Sequence, residues 1–392
     1  MSSVDTTALT AERAAAIRDS GWGEPFRLVQ PRNLCFWVFV WGVAAGSYGM
    51  LHYYGPALGA YGVGLGTGVL AFALYTIPWL FLLAYHNRYT SLPSKLLLTA
   101  FVWGASAATF WLAISANGAI LSLYGKGFGL AWVTDWGAGL TAPFTEETSK
   151  ALALVLLIGL APRLVRSPYD GLMIGAFAGL GFQISEDVLY AFNNTYANFG
   201  ADQVGAVLQI ILVRGLTGLV GHVLFSAVFC AGLMWLIGRG DPGHRVRGLL
   251  LMLAAMAAHS GWDNLGAIGY LVAGDYGAPL LMIVVFPAAN LLLLWLTFRL
   301  AVPQEQRWLR AVLAPEAAQG VLTDDELTAA SGGCRTRRSY LKSRHGHRDK
   351  RTARHVLTAA NDLARELARS GGRETDPVRH ARSEVARLRA PA

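Results

Sequence analysis

Long apolar stretches alternate with short polar ones along most of this chain, at the spacing of a membrane rather than of a soluble core. Apolar runs recur at about 34–52, 63–85, 97–117, 138–160, 171–192, 211–237, 249–273 and 279–300. Each is close to the roughly 20 residues a helix needs to cross about 30 Å of hydrocarbon. The pattern predicts an all-α fold, a polytopic transmembrane helical bundle of about eight spans. The opening residues, MSSVDTTALTAERAAAIRDSGW, are polar and charged. No cleavable signal peptide is therefore expected, and the first apolar run is retained as a span. No internal repeat of the transporter kind is visible.

The polar stretches divide the chain into an N-terminal segment (1–33), a transmembrane region (34–302) and a basic tail (303–392). In the tail, LTDDEL is followed by a basic stretch from Cys334 to Arg354 and a helical pattern over 355–370. It reads as a partly helical cytoplasmic extension that attracts anionic lipid, or as a regulatory or partner-binding arm. Segments 118–137 and 193–210 are longer than minimal connectors. Their Trp132, Trp136 and Tyr196 suit an outer interfacial belt.

Composition agrees with the pattern. The chain is 54% hydrophobic and 15% charged, against about 25% charged for soluble domains. Cys35, Cys230 and Cys334 form no CxxC pair and leave no disulfide framework or cysteine zinc site to build. The net charge of +8 is a topology signal rather than a nucleic-acid footprint, because residues 303–392 hold 18 of the 33 Lys and Arg. Elsewhere Arg27, Arg32, Arg88, Lys95, Arg163, Arg166, Arg239, Arg245, Arg247 and Arg299 fall in alternate loops. The intervening loops, including the one around Asp275, hold Lys126 and no arginine. The positive-inside rule then places both termini in the cytoplasm.

Candidate chemistry lies inside the spans, where an ionisable side chain costs roughly 2.5–3.5 kcal/mol at mid-depth. Span four carries Glu146, Glu147 and Lys150; span five carries Glu186 and Asp187; span six carries Arg214 and His222; span seven carries His259 and Asp263. Counting 1.5 Å per residue puts Glu146, Glu186, His222 and Asp263 roughly 9–16 Å below the outer ends of their spans, so one cavity could hold them. Glu146 with Lys150, and His259 with Asp263, share helix faces at i,i+4. Gly171, Gly175 and Gly179 form a small-residue ridge on the face of Phe182 and Glu186, where a neighbouring helix can approach closely. Pro143 could open or start its helix beside the carboxylates. Glu147–Lys150 and Glu186–Arg214 could be purely structural pairs, Asp187 a rim or capping group, and Trp262 packing.

Taken in order, Glu146-Glu147-x-x-Lys150, Phe182-x-x-x-Glu186, His222 and His259-x-x-x-Asp263 resemble the motifs of the PrsW family of intramembrane proteases. That family is related to the CAAX-processing and bacteriocin-immunity superfamily. The resemblance covers about residues 140–270. Glu186 stands where the CAAX enzymes carry histidine, and Lys150 replaces a later arginine, so prenyl-peptide cleavage is not expected. The resemblance implies a protein of the bacterial cytoplasmic (inner) membrane that cuts a membrane-anchored protein, typically an anti-sigma factor in a signalling cascade.

Peptide hydrolysis needs an activated water, oxyanion stabilisation and a proton for the leaving amine. One assignment makes Glu146 or Glu147 the general base and lets His222 and His259, with Asp263 or Glu186, bind a divalent metal, zinc. No HExxH is present, so the ligands must converge across spans. A metal-free version lets a glutamate with His222 activate water while His259, oriented by Asp263, serves the oxyanion. A proton-coupled transporter or channel and a non-catalytic scaffold are the rival classes. The expected partners are a membrane-anchored substrate and the bilayer, with no nucleic acid.

Overall fold

The computed structural model describes residues 3–240, 243–274 and 277–389. The chain is 85% helix, with no strand among the described residues. Helix α1 (Ser3–Ser20) precedes α2 (Leu34–Tyr54) and α3 (Leu58–His86). Helix α4 (Ser94–Trp103) runs through a π-helical stretch, Gly104–Ala113, into α5 (Ile114–Phe128). A short α6 (Leu130–Trp132) and a second π-helical turn (Val133–Gly137) lead into α7 (Ala138–Leu160). Then come α8 (Pro168–Ala197), α9 (Gln203–Thr217), α10 (His222–Leu236), α11 (Arg245–Asp263), α12 (Leu265–Ala273) and α13 (Gly277–Ala318). Helices α14 (Asp324–Ser331), α15 (Cys334–Lys342), α16 (Gly346–Arg369) and α17 (Asp376–Arg389) complete the chain.

All eight predicted apolar stretches fall on helices. Five helical stretches are long and apolar enough to cross a membrane by length and composition: Leu34–Tyr89, Ser94–Phe128, Pro168–Ala197, Gln203–Leu236 and Val284–Ala318. The first, at 56 residues, contains two of the predicted spans. The stretches at 138–160 and 249–273 fall on α7 and on α11–α12, which carry the Glu, Lys, His and Asp side chains that dilute their apolar character. The expected outer loop at Asp275 lies outside the described residues. Large apolar side chains such as Trp41, Leu70, Phe81, Leu212, Leu250 and Leu296 face outward, as a lipid-facing surface requires.

The centre of the bundle is α8 against α10. Methyl groups at Gly171, Gly175 and Gly179 would overlap the carbonyl oxygens of Cys230, Ser226 and His222 respectively. Glycine at every fourth position of α8 thus meets carbonyls at every fourth position of α10, and the two backbones touch. Helix α8 starts cleanly because Ser167 and Asp170 form a capping box. Its N-terminal turn is buried with Tyr169, Leu172 and Met173. Trp103 of α4 closes the same core and donates its indole N–H to the Ser149 carbonyl at 2.9 Å.

Pro143 lies inside α7, which begins five residues earlier at Ala138, so the proline does not start that helix. Two other predicted spans are interrupted. A break over Gly218–Gly221 separates α9 from α10, and Asn264 separates α11 from α12. Both breaks fall next to predicted site residues, so His222 opens one helix and Asp263 ends another.

The tail is helical through α14–α17 and has a core of its own. Val312, Leu313, Leu357, Leu363, Leu367, Val378 and Val385 are buried together with Ala16 and Trp22 from the N-terminal segment. Glu316 is fully buried and accepts from Arg13 at 2.7 Å and from Arg382 at 2.7 and 2.8 Å. That carboxylate joins α1, α13 and α17. Gly21 (φ +70) and Gly23 (φ +83) turn the chain between α1 and α2, against the Arg163 carbonyl and the Ala368–Arg369 backbone.

The ridge gives a direct test. Gly175→Val forces α8 and α10 apart and should destabilise the bundle by about 1–3 kcal/mol or more, read as a lowered Tm in detergent. Gly66→Ala, where nothing lies within 4 Å, should leave Tm unchanged or raise it.

Candidate active site

Four consecutive helices carry the predicted site residues, and the α8–α10 contact brings them together. Helix α7 supplies Glu146, Glu147 and Lys150 from one buried stretch. The fully buried Glu147 accepts at Oε1 from the Lys150 ammonium at 2.6 Å. The same oxygen lies 3.0 Å from His259 Nδ1, and Oε2 accepts from the Ser226 hydroxyl at 2.8 Å. Both oxygens are occupied, which is what a buried carboxylate needs. One side chain thereby ties α7 to α10 and α11.

Glu146 is placed differently. Its Oε1 accepts from the Asn117 amide of α5 at 3.1 Å, while its buried Oε2 has no hydrogen-bond partner. Around Oε2 stand His222 Nδ1, His259 Nε2 and Lys150 Nζ, each at 3.7 Å. The two imidazole rings are edge to face with centroids 5.0 Å apart. Phe182 packs on His222, and Phe225 stacks on His259 with centroids 4.9 Å apart. The rings are therefore held by packing as well as by hydrogen bonds.

Glu186 Oε2 lies 2.8 Å from His222 Nε2 and accepts from Arg214 Nη2 at 2.5 Å. Asp187 is fully buried and bonded to the Arg214 Nε, so it belongs to this cluster rather than to a rim or a cap. Arg214 also lies over the Tyr190 ring, 4.1 Å from its centroid. Asp263 Oδ2 is 3.4 Å from His259 Nε2, and its side chain is 21% exposed. Both pairs that sequence allowed as structural, Glu147–Lys150 and Glu186–Arg214, are formed.

These groups face a cavity of about 210 Å³ lined by Asn117, Thr141, Glu146, Glu186, Tyr190, Arg214, His222, His259, Trp262 and Asp263. Glu147 does not line it. The structure thus separates two neighbouring glutamates that sequence left interchangeable: Glu146 faces the cavity and Glu147 stands behind it. Sequence reasoning missed Asn117 and Ser226. Ser226 follows His222 at i+4 and shares its face, a signal present in the sequence. Asn117 sits at the end of a predicted span and gave no such signal.

The donor set suits a metal. Glu146, His222 and His259 each offer one ligand atom within 4.8 Å of the others, and all three are buried. His259 gives Nδ1 to a carboxylate and turns Nε2 toward the cavity, the arrangement that orients a metal-binding imidazole. Five acidic side chains (Glu146, Glu147, Glu186, Asp187, Asp263) share the cluster with two basic ones (Lys150, Arg214). Such an excess of acidic groups is one that a divalent cation would offset. The three-residue set includes Glu146, which sequence assigned as a base, and omits Glu186 and Asp263, which sequence assigned as ligands.

The two glutamates should respond differently to substitution. Glu147→Ala leaves Lys150 buried without its closest carboxylate and should cost about 3–5 kcal/mol. Glu146→Gln keeps the Asn117 contact and should change stability by about 1 kcal/mol or less. Thermal unfolding of both variants in detergent checks the contrast.

Residues 92–292 match the PrsW-protease family, described as PrsW family intramembrane metalloprotease. No curated protein and no solved structure matches the chain. The matched segment is just over half of the 392 residues and contains every residue of the buried cluster. The chain belongs to the PrsW family of intramembrane metalloproteases.

Proposed function

We propose that the cavity hydrolyses a peptide bond of a membrane-anchored protein, and that Glu146, His222 and His259 hold a zinc ion there. The observation that carries this reading is the buried Glu146 Oε2, which has no hydrogen-bond partner and lies 3.7 Å from His222 Nδ1 and from His259 Nε2. Two nitrogen donors and one oxygen donor with an open side suit a catalytic zinc site. When bound, the metal polarises the carbonyl and lowers the pKa of water. The protein's residues do the rest. Glu147 holds the His259 tautomer through Nδ1 and keeps Lys150 paired. Arg214 holds Glu186 against His222. Asp263, 3.4 Å from His259 Nε2 and lining the cavity, takes the water proton and returns it to the leaving amine.

Eight crossings, with the loops at Arg88, Arg166, Arg239 and Arg299 on one side, put both termini and the α14–α17 subdomain in the cytoplasm of a bacterium. The reacting groups then sit in the outer half of the inner membrane. An anti-sigma factor is the substrate class that the family resemblance implies, and a single-span protein would reach the cavity through the bilayer.

Purified protein mixed with a tagged single-span reporter tests the scheme. Glu146→Ala, His222→Ala and His259→Ala should each lose both cleavage and bound zinc. Glu147→Gln should weaken zinc binding about 10–100-fold, measured by competition with a chelator. Full cleavage by chelated, zinc-free protein would contradict the proposal.

A further inference from the structure

Asn117 lies near the start of α5 and lines the cavity, yet it belongs to none of the sequence motifs. Helix α5 has no buried residue, so Asn117 is not there to fill a core. Its amide instead bridges two neighbours on α7. Nδ2 donates to Glu146 Oε1 at 3.1 Å, and Oδ1 accepts from the Thr145 hydroxyl. Among the described residues, the contact with Asn117 is the one hydrogen bond that the Glu146 carboxylate makes.

A glutamate carboxylate turns easily, because the torsion that carries it is broad and roughly two-fold. Left alone, Glu146 could offer either oxygen to a group in the cavity, or neither. A donor at Oε1 removes that freedom and leaves Oε2, which lies 3.7 Å from His222 Nδ1 and from His259 Nε2. The Asn117 amide has an ambiguity of its own, since its two ends are nearly alike in shape. Thr145 resolves it. With the hydroxyl donating to Oδ1, the NH₂ is the end that meets Glu146. The reverse orientation would set two acceptors 3.1 Å apart.

We propose that Asn117 is a positioning residue for the metal site: it acts through Glu146, and Thr145 acts through Asn117. This rests on the reading above in which Glu146, His222 and His259 hold zinc. A donor on the second oxygen of a ligating carboxylate is the kind of outer partner that orients and tunes a metal ligand. A plain tether between α5 and α7 is the rival explanation. The two differ in what the fold loses with Asn117. The Thr141 and Ala142 carbonyls lie 3.2 and 3.3 Å from the Thr145 hydroxyl. That hydroxyl therefore keeps an acceptor on its own helix, and removing Asn117 strands no donor on α7.

Detergent-purified full-length protein, stripped of metal and titrated with zinc against a chelator, separates them. In Asn117→Leu, zinc affinity should fall about 10–100-fold, while the Tm of the metal-free protein stays unchanged. Zinc that does bind should keep both imidazole ligands in its X-ray absorption spectrum. Thr145→Val should lower zinc affinity by a smaller factor. The double variant should bind zinc no more weakly than Asn117→Leu alone, because Thr145 reaches the metal only through Asn117. Wild-type zinc affinity in Asn117→Leu overturns this inference and leaves the metal site standing. So does a lowered metal-free Tm in Asn117→Leu with losses that simply add in the double variant, the mark of a tether. If the wild type binds no zinc at all, the metal reading fails and this inference falls with it.

Discussion

A carboxylate removed from water needs a donor at each oxygen, and Glu147 meets that need by joining three helices. Lys150 on its own helix, Ser226 on α10 and His259 on α11 all converge on it. Nothing in that arrangement is free to move without leaving a buried charge exposed to an apolar core. The position of His259 therefore follows from Glu147, and the position of Glu146, one residue earlier on the same turn, follows from the helix itself. The cavity-facing groups inherit their precision from a residue that never touches the cavity.

That hub can form only because α8 and α10 lie backbone to backbone. The glycine ridge at 171, 175 and 179 removes the side chains that would separate them and brings Glu186 within 2.8 Å of His222. The helix breaks at Gly218–Gly221 and Asn264 then end the regular packing where the chemistry begins. Asn264 caps this by accepting from the Gly139 amide at 3.0 Å, which ties the break in α11–α12 to the start of α7. At the other end of the molecule, Glu316 repeats the strategy of the hub, with two arginines in place of a lysine and an imidazole.

Much of this was legible in the sequence because the membrane restricts what a chain can do. Apolar run length marks the helices, and a Glu or His within such a run demands a reason. The motif order, the glycine ridge and the convergence of Glu146, Glu186, His222 and His259 all followed from those two facts. What escaped was anything decided by which side of a helix a neighbour occupies. Glu146 and Glu147 are adjacent in sequence but about 100° apart around the helix, and only the packing of α10 and α11 says which one faces the cavity. Asp187 was misplaced to a rim for the same reason, since its partner Arg214 comes from another helix. The breaks were missed because apolar residues continue through them. The tail's core was not legible because it is assembled from Ala16, Trp22 and the far end of α13 as well as from the tail itself.

Glu146, His222 and His259 are proposed to form one metal site. X-ray absorption at the zinc edge on detergent-purified full-length protein tests it most directly. Stoichiometric zinc is expected, with two imidazole nitrogens at about 2.0–2.1 Å and one carboxylate oxygen at a similar distance, and one nitrogen scatterer should be lost in a His259→Ala variant that retains any metal. Zinc-free, fully active protein, or zinc bound by a ligand shell without imidazole, would contradict it.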